Sequence, residues 1–424
     1  MKKSIGLLLL LLAMFPASAV LEAGCLPSSD WINHPSSPAD IPAGSDNCAF
    51  HQFAWQEFLY LVSPSEGTVL RKFENRGRHP IYGVDLCPVH GEEPALEGDD
   101  LGLLIRTRKV QEGPPNVAFL PSEIKQAGSN EPLYDQKGNV TYYNTRFTWS
   151  ECSVQANTGD AGLPSDTIEL KTAWRKVDQA EAHKYYTVMA NFVNEKLEET
   201  PTLLGLIGFH IAKITKNHPE MVWITFEHKD NAPVCDLPQH PPVGGWSFTS
   251  AQCAACLARP YSGGCMQYLG NHCSFNVYRG DSRPANVCLR SANGGGSLEN
   301  QQNIQSLNEK MVGPGGYLSS LPSSNPLSVF QNYFHVGTLW MVNGQSELGP
   351  WLNNGSLSLL NSVLETFVQN VSEGGGTKSS QNCFSCHVYN GPANTAALSH
   401  IIPISDSLET VEANAGLKKK RERE

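Results

Sequence analysis

The segment Met221-Val222-Trp223-Ile224-Thr225-Phe226-Glu227-His228 is a β-branched and aromatic run bounded by turn residues. Residues of these types favour extended backbone. Because successive side chains of a strand point to opposite faces, the final histidine shares an apolar face with Val222, Ile224 and Phe226. The segment therefore predicts a buried strand.

Similar runs precede it, and together they predict a β-rich body. Turn residues separate them, for example Gly138-Asn139 and Gly159-Asp160. Alternation in residues 206–212 puts His210 on one face with Leu206. The other predicted strands are residues 103–105, 140–150, 167–177 and 185–193.

Helical spacing occurs on both sides of this body. A helix is predicted to begin near Asp46 and to end before Pro64, with its aromatic residues on one face. A polar helix is predicted over residues 298–311 and a more apolar one over residues 326–340. An apolar stripe predicts another helix over residues 357–370, formed by Leu357, Leu360, Val363, Leu364, Phe367 and Val368.

Cys383-Phe384-Ser385-Cys386-His387 follows a glycine- and serine-rich segment. C-x-x-C-H is the attachment motif of c-type haem: the two thiols bond the porphyrin, and the adjacent imidazole is the proximal iron ligand. The motif predicts one covalent haem c, with Cys383, Cys386 and His387 as its binding residues. The alternative is a chance match in a cysteine-rich secreted protein, with both thiols in structural disulfides.

The amino terminus has the features of an export signal. Lys2 and Lys3 precede an apolar run over residues 5–15, and Ala17-Ser18-Ala19 is a cleavage site of small residues. The run is short for a membrane span, and no transmembrane segment is predicted elsewhere. A periplasmic or secreted location follows, in which the ten cysteines outside the motif are expected to pair.

Six of these cysteines lie between Cys235 and Cys288, in a stretch rich in glycine and proline. We interpret that stretch as a loop-rich insertion held by disulfides. A zinc site formed by Cys253, Cys256, Cys265 and Cys273 is the alternative, and it requires thiolates preserved in an oxidising compartment.

The chain has 424 residues, of which 40% are hydrophobic and 17% are charged, and this composition indicates a globular protein. Its formal net charge of −10 argues against a nucleic-acid partner. The expected partner is a redox protein, or a small-molecule oxidant or substrate.

The sequence does not identify the second axial ligand of the iron. No methionine follows His387, so the usual downstream methionine ligand of small cytochromes c is absent. His228 is the candidate distal ligand, and the alternatives are His210, His400, His335, Met341 or a vacant position.

Three segments outside the motif support a family resemblance. Residues 54–59 (AWQEFL), 169–174 (ELKTAW) and 223–233 (WITFEHKDNAP) resemble parts of a family of large exported bacterial monohaem proteins, the cytochrome c family proteins. The resemblance is scattered over residues 48–402 and implies one haem c without a defined reaction.

The predicted class is α+β: a β-rich body with flanking helices and a C-terminal helical haem-binding segment. The predicted function is periplasmic redox chemistry, either electron transfer or a haem-based peroxidase or oxygenase reaction. The alternative is a disulfide-stapled secreted binding protein without haem. The predicted divisions are a signal peptide (1–19), a mixed α/β body (20–345) with a cysteine-rich insertion (235–288), a haem c segment (346–417) and a charged tail (418–424).

Overall fold

The structure is a computed structural model, and parts of the chain lie outside its description. The signal peptide, the charged tail and His400 fall outside it. The described residues are 24–38, 40–66, 70–74, 104–105, 117–119, 126, 131–148, 151, 162–193, 199–235, 237, 239–257, 273–278, 283–342, 352–369, 382–387 and 398–399.

A nine-stranded sheet dominates the described part of the chain. Its main path runs β1-β3-β4-β6-β7-β8-β9, and all the pairings along that path are antiparallel. Strand β5 pairs with the first half of β6, and β2 pairs with β5 in parallel. The strands are β1 Leu104–Ile105, β2 Val117–Phe119, β3 Tyr142–Phe147, β4 Ile168–Lys176, β5 Thr187–Val193, β6 Glu199–Lys213, β7 Val222–His228, β8 Tyr333–Met341 and β9 Asn353–Gly355.

The register of three central strands arranges their side chains in rows across the sheet. Lys171 of β4 pairs with His210 of β6, and His210 pairs with Thr225 of β7. The next row on the same face contains Glu169 and Trp223, joined through Ala212. Adjacent rows on one face lie about 7 Å apart, because alternate residues of a strand are separated by two rises.

Two helices cover the opposite face of the sheet. The helices are α1 Asp30–Asn33, α2 Asn47–Val62, α3 Ala251–Leu257 and α4 Leu298–Val312. Helix α2 begins after Asp46, whose Oδ1 accepts a 2.9 Å hydrogen bond from the Ala49 N–H. Phe58 of α2 stacks on Phe226 of β7 with ring centroids 4.0 Å apart. Helices α2 and α4 both contribute to the hydrophobic core on this face.

The segment of residues 352–369, which contains strand β9, turns and a 3-10 helix, covers the face that carries His210 and Trp223. A Cβ at Gly208 of β6 would lie 2.9 Å from Val363 Cγ2, so glycine allows this segment to approach the sheet closely. Asn361 fixes the segment in place, since its Nδ2 donates to Thr225 Oγ1 at 2.9 Å and to the Phe226 carbonyl at 3.0 Å.

Disulfides staple the chain, as predicted. The bonds Cys25–Cys48, Cys235–Cys288 and Cys253–Cys273 are present, and Cys256 is also disulfide-bonded. The pairing of Cys253 with Cys273 is incompatible with the alternative zinc site. Within the described ranges, no helix has the length and apolar character needed to cross a membrane.

The predicted α+β class with a C-terminal helical haem-binding segment is wrong. The helices near Asp46 and over residues 298–311 are confirmed as α2 and α4. However, residues 326–340 form a short 3-10 helix, Ser328–Asn332, followed by strand β8. Strand β8 is buried on both faces, so its continuous apolar run does not distinguish a strand from a helix.

The helix predicted over residues 357–370 is also wrong. Residues 357–369 consist of turns and one 3-10 helix, Thr366–Gln369, and Cys383–Ser385 is a further 3-10 turn. Of the apolar residues at helical spacing, Val363 and Leu364 are buried against the sheet, and the other four are partly buried. Polar side chains of the segment bond to the strands, as Asn361 does to Thr225. The described chain is therefore a β-rich antiparallel sheet protein with few helices.

Candidate functional site

The C-x-x-C-H motif forms a compact turn. The Cys383 carbonyl accepts hydrogen bonds from the N–H groups of Cys386 at 3.2 Å and His387 at 2.9 Å. Asn382 precedes the turn, and its Nδ2 donates to the Leu357 carbonyl at 3.0 Å. The turn is therefore fixed to the segment that covers the sheet.

Cys383 and Cys386 are the free thiols of the described residues. Cys383 is half-buried and Cys386 is exposed. Burial, and secondarily the nearby Glu365 carboxylate, raise the pKa of the Cys383 thiol well above its ordinary value. Both thiols are thus separate from the disulfides that staple the body.

His387 contacts both Trp223 of the sheet and the backbone of Leu398. Its ring centroid is 4.6 Å from that of Trp223 on β7, with the planes inclined by 38°. Its Nδ1 is 2.6 Å from the Leu398 carbonyl oxygen. Because a carbonyl oxygen can only accept, Nδ1 must donate, and in the neutral ring Nε2 then carries the lone pair.

Ser399 connects this contact to two buried carboxyl groups. Its Oγ lies 2.7 Å from Glu151 Oε2 and 2.9 Å from Glu169 Oε2. All three residues are at most 3% exposed. Burial and the neighbouring Glu169 raise the pKa of Glu151 well above its ordinary value.

A histidine–carboxylate pair lies in the adjacent row of the sheet. His210 Nε2 is 2.8 Å from Glu365 Oε1, and the two side chains remain 18% and 15% exposed. Burial of Glu365 opposes its ionisation, but His210, Lys171 and the backbone N–H of Asn361 outweigh burial and lower its pKa. The pair lies one row, about 7 Å, from the row of Trp223 on which His387 packs.

Glu227 is another buried acid on this face. Its Oε2 accepts a 2.8 Å hydrogen bond from the Ser362 N–H. Burial raises the pKa of Glu227 to about 7, although the bonds from Ser362 partly offset it.

The structure does not bring His228 to the motif. His228 alternates with Glu227 along β7 and therefore lies on the opposite face from Trp223. Its Nε2 donates to the Lys184 carbonyl at 3.0 Å, and its Nδ1 accepts from the Asp230 N–H at 3.1 Å. Burial lowers the pKa of His228 to about 4, which favours this neutral form. A distal role for His228 remains a prediction.

The other axial candidates are placed differently. His335 is buried on β8, where its Nε2 lies 2.9 Å from Thr338 Oγ1. Met341 and Leu398 belong to one buried apolar cluster, and Cys383 and Phe384 pack against that cluster. His210 is bonded to Glu365, as described above.

Trp223, Ser399 and the two acids Glu151 and Glu169 were not predicted as site residues from the sequence. Trp223 and Glu169 lie in two of the segments that carry the family resemblance, and this was the available signal. Nothing in the local sequence associates Glu151 or Ser399 with the motif.

Comparison of the chain with protein-family models, with curated proteins and with solved structures finds no match. Within the described part of the chain, no group of three or more His, Cys, Asp or Glu side chains is arranged to hold a metal ion. A site of that kind would bind a metal ion through side chains alone. A haem iron is bound mainly by the porphyrin, so it does not need such a group of side chains. The disulfides of the described residues fit a periplasmic or extracellular protein.

Proposed function

We propose that this protein carries one haem c and acts in redox chemistry outside the cytoplasm, as the resemblance to exported monohaem cytochrome c family proteins implies. Cys383 and Cys386 would form the two thioether bonds, and His387 would be the proximal ligand. When bound, haem c supplies an iron centre that exchanges single electrons.

The observation that carries this proposal is the hydrogen bond from His387 Nδ1 to the Leu398 carbonyl oxygen, 2.6 Å long. A histidine that ligates a metal commonly donates its other ring N–H to a carbonyl or carboxylate, and this bond fixes the tautomer and the ring orientation. In the neutral ring this bond leaves the Nε2 lone pair free, and Nε2 would be the atom that binds the iron.

The state of the cysteines also fits the cofactor. In a chain whose other described cysteines are all in disulfides, the two motif thiols are free. The exposure of Cys386 supports a haem edge that reaches solvent, which suits electron exchange with a redox partner. Trp223 limits rotation of the His387 ring by packing against it.

A second candidate is a disulfide-stapled secreted binding protein without haem. The disulfides of the described residues favour it, since they hold the body together through residues remote from the motif.

The test is covalent haem on protein expressed in a host with an active c-type maturation system. The mature wild type should retain haem staining on a denaturing gel, and Cys383→Ala with Cys386→Ala should lose it. A wild type without covalent haem would contradict the proposal and would favour the second candidate, a secreted binding protein without haem. Spin state and peroxide reactivity of the haem protein then separate a carrier from an enzyme with an open distal face.

A further inference from the structure

We propose that Glu151 is a positioning residue for the proximal histidine. In this arrangement its protonated carboxyl donates to Ser399 Oγ, the Ser399 hydroxyl donates to Glu169, and the chain of bonds holds the Leu398 carbonyl against His387. The inference rests on the proposed function. It adds that two buried acids fix the position of the carbonyl to which the proximal histidine donates.

The connection between these groups is short and continuous. Leu398 contributes the carbonyl that accepts from His387, and the adjacent Ser399 contacts both acids. Glu169 belongs to β4, in the row that also holds Trp223. The backbone of residues 398–399 is thus attached to the same sheet on which the His387 ring packs.

The protonation state follows from the number of hydrogens. A serine hydroxyl has one proton and can donate to one acceptor. Ser399 Oγ lies within hydrogen-bond distance of two carboxyl oxygens, at 2.7 Å and 2.9 Å. At least one carboxyl must therefore carry a proton and donate it to Ser399.

The surroundings assign that proton to Glu151. Lys171 lies two residues from Glu169 on the same face of β4, so its positive charge favours ionised Glu169. Glu151 Oε1 is buried with no hydrogen-bond partner among the described residues. An ionised carboxylate with such an oxygen would be costly to bury, whereas a neutral carboxyl is tolerated.

This arrangement determines the strength of the bond made by His387. A firmly held carbonyl acceptor makes the imidazole a more basic ligand, which stabilises the oxidised iron. Freeing residues 398–399 weakens this bond, and the midpoint potential of the bound haem should then rise.

The experiment compares the midpoint potential and absorption spectrum of haem-loaded variants with their thermal stability. Ser399→Ala and Glu151→Ala should shift the potential to more positive values, whereas Glu151→Gln, which retains a donor to Ser399, should stay close to the wild type. Glu227→Gln is the matched control, because Glu227 is a buried acid on the same face but contacts Ser362.

Three outcomes separate the alternatives. A wild type without covalent haem contradicts the proposed function itself. Haem-loaded Ser399→Ala with the potential of the wild type overturns the positioning role. An equal shift in Glu227→Gln also overturns it, because the shift would then follow from general destabilisation. Ser399→Ala removes one oxygen atom, so it provides the test if Glu151→Ala fails to fold.

Discussion

The imidazole of His387 packs on the indole of Trp223, with ring centroids 4.6 Å apart. Phe384 contacts the same indole edge-on at 6.1 Å. The motif therefore rests on strand β7 at the centre of a sheet. The proposed proximal side of the haem is formed by a β-strand and turns, which differs from the helical setting predicted from the sequence.

Trp223→Ala should disturb the motif as well as the core. Removal of a buried indole costs roughly 3–5 kcal/mol of unfolding free energy, and it removes the surface that limits rotation of His387. The absorption spectrum of the bound haem should shift. Trp174→Ala is the control, since Trp174 is buried on the opposite face and its loss should cost similar stability with an unchanged spectrum. Equal spectra in both variants would contradict a role for Trp223 at the motif.

His228→Ala should lower stability and leave the spin state of the haem unchanged. The variant removes the partner of the Asp230 N–H, in a buried contact, and one partner of the Lys184 carbonyl, in a partly buried one. We expect a loss of about 3 kcal/mol in denaturant unfolding, from an unsatisfied group and lost packing. Conversion of low-spin to high-spin iron would instead establish His228 as a ligand. A methionine–iron charge-transfer band in the wild type would point to Met341.

Acid should destabilise the protein through His51, which bonds Asn300 Oδ1 at 2.9 Å inside the core. Burial lowers the pKa of His51 from 6.5 to about 4, so protonation favours the unfolded chain. Its contribution to stability is complete above pH 6.5 and is lost as the pH falls towards 4. Between pH 7 and pH 5 the wild type should lose about 2 kcal/mol relative to His51→Gln, measured by urea unfolding. Parallel curves for the two proteins would exclude this cause.

Glu227 should have the opposite pH dependence. Burial raises its pKa from 4.5 to about 7, so the folded state favours the protonated form. The associated stability is present below pH 4.5 and is lost as the pH rises to 7. From pH 5 to pH 7 the wild type should lose about 2 kcal/mol relative to Glu227→Gln, which cannot ionise. The same urea titrations measure it, and an equal loss in both proteins would contradict the assignment.

Alkylation should separate the two classes of cysteine. Denatured, unreduced protein made without haem maturation should be labelled at Cys383 and Cys386, whereas the described body cysteines should react after reduction. The double variant Cys383→Ala with Cys386→Ala is the control and should lose this labelling. Labelling of Cys253 and Cys273 before reduction, together with bound zinc, would contradict the Cys253–Cys273 disulfide.

Removal of the Cys235–Cys288 disulfide, which joins residues 53 positions apart, should lower the free energy of unfolding by about 4 kcal/mol.

The strands of the body were predictable because their patterns are local. Residues 222–228 combine β-branched and aromatic side chains with a period of two, and they form β7. Helix α2 was equally predictable, since Asp46 caps it and its aromatic face is regular. Disulfide bonding followed from the export signal and the number of cysteines, although spacing alone could not assign the pairs.

The sequence by itself determined the C-x-x-C-H motif, because the two thiols and the imidazole are neighbours along the chain. Tertiary structure alone decided that Trp223 packs against His387, that the Leu398 carbonyl accepts a hydrogen bond from His387, and that Glu151 and Glu169 meet at Ser399. It also decided that the C-terminal apolar stripe forms turns on a sheet. These contacts join residues far apart in sequence, and strand register and packing, which local propensity does not encode, bring them together.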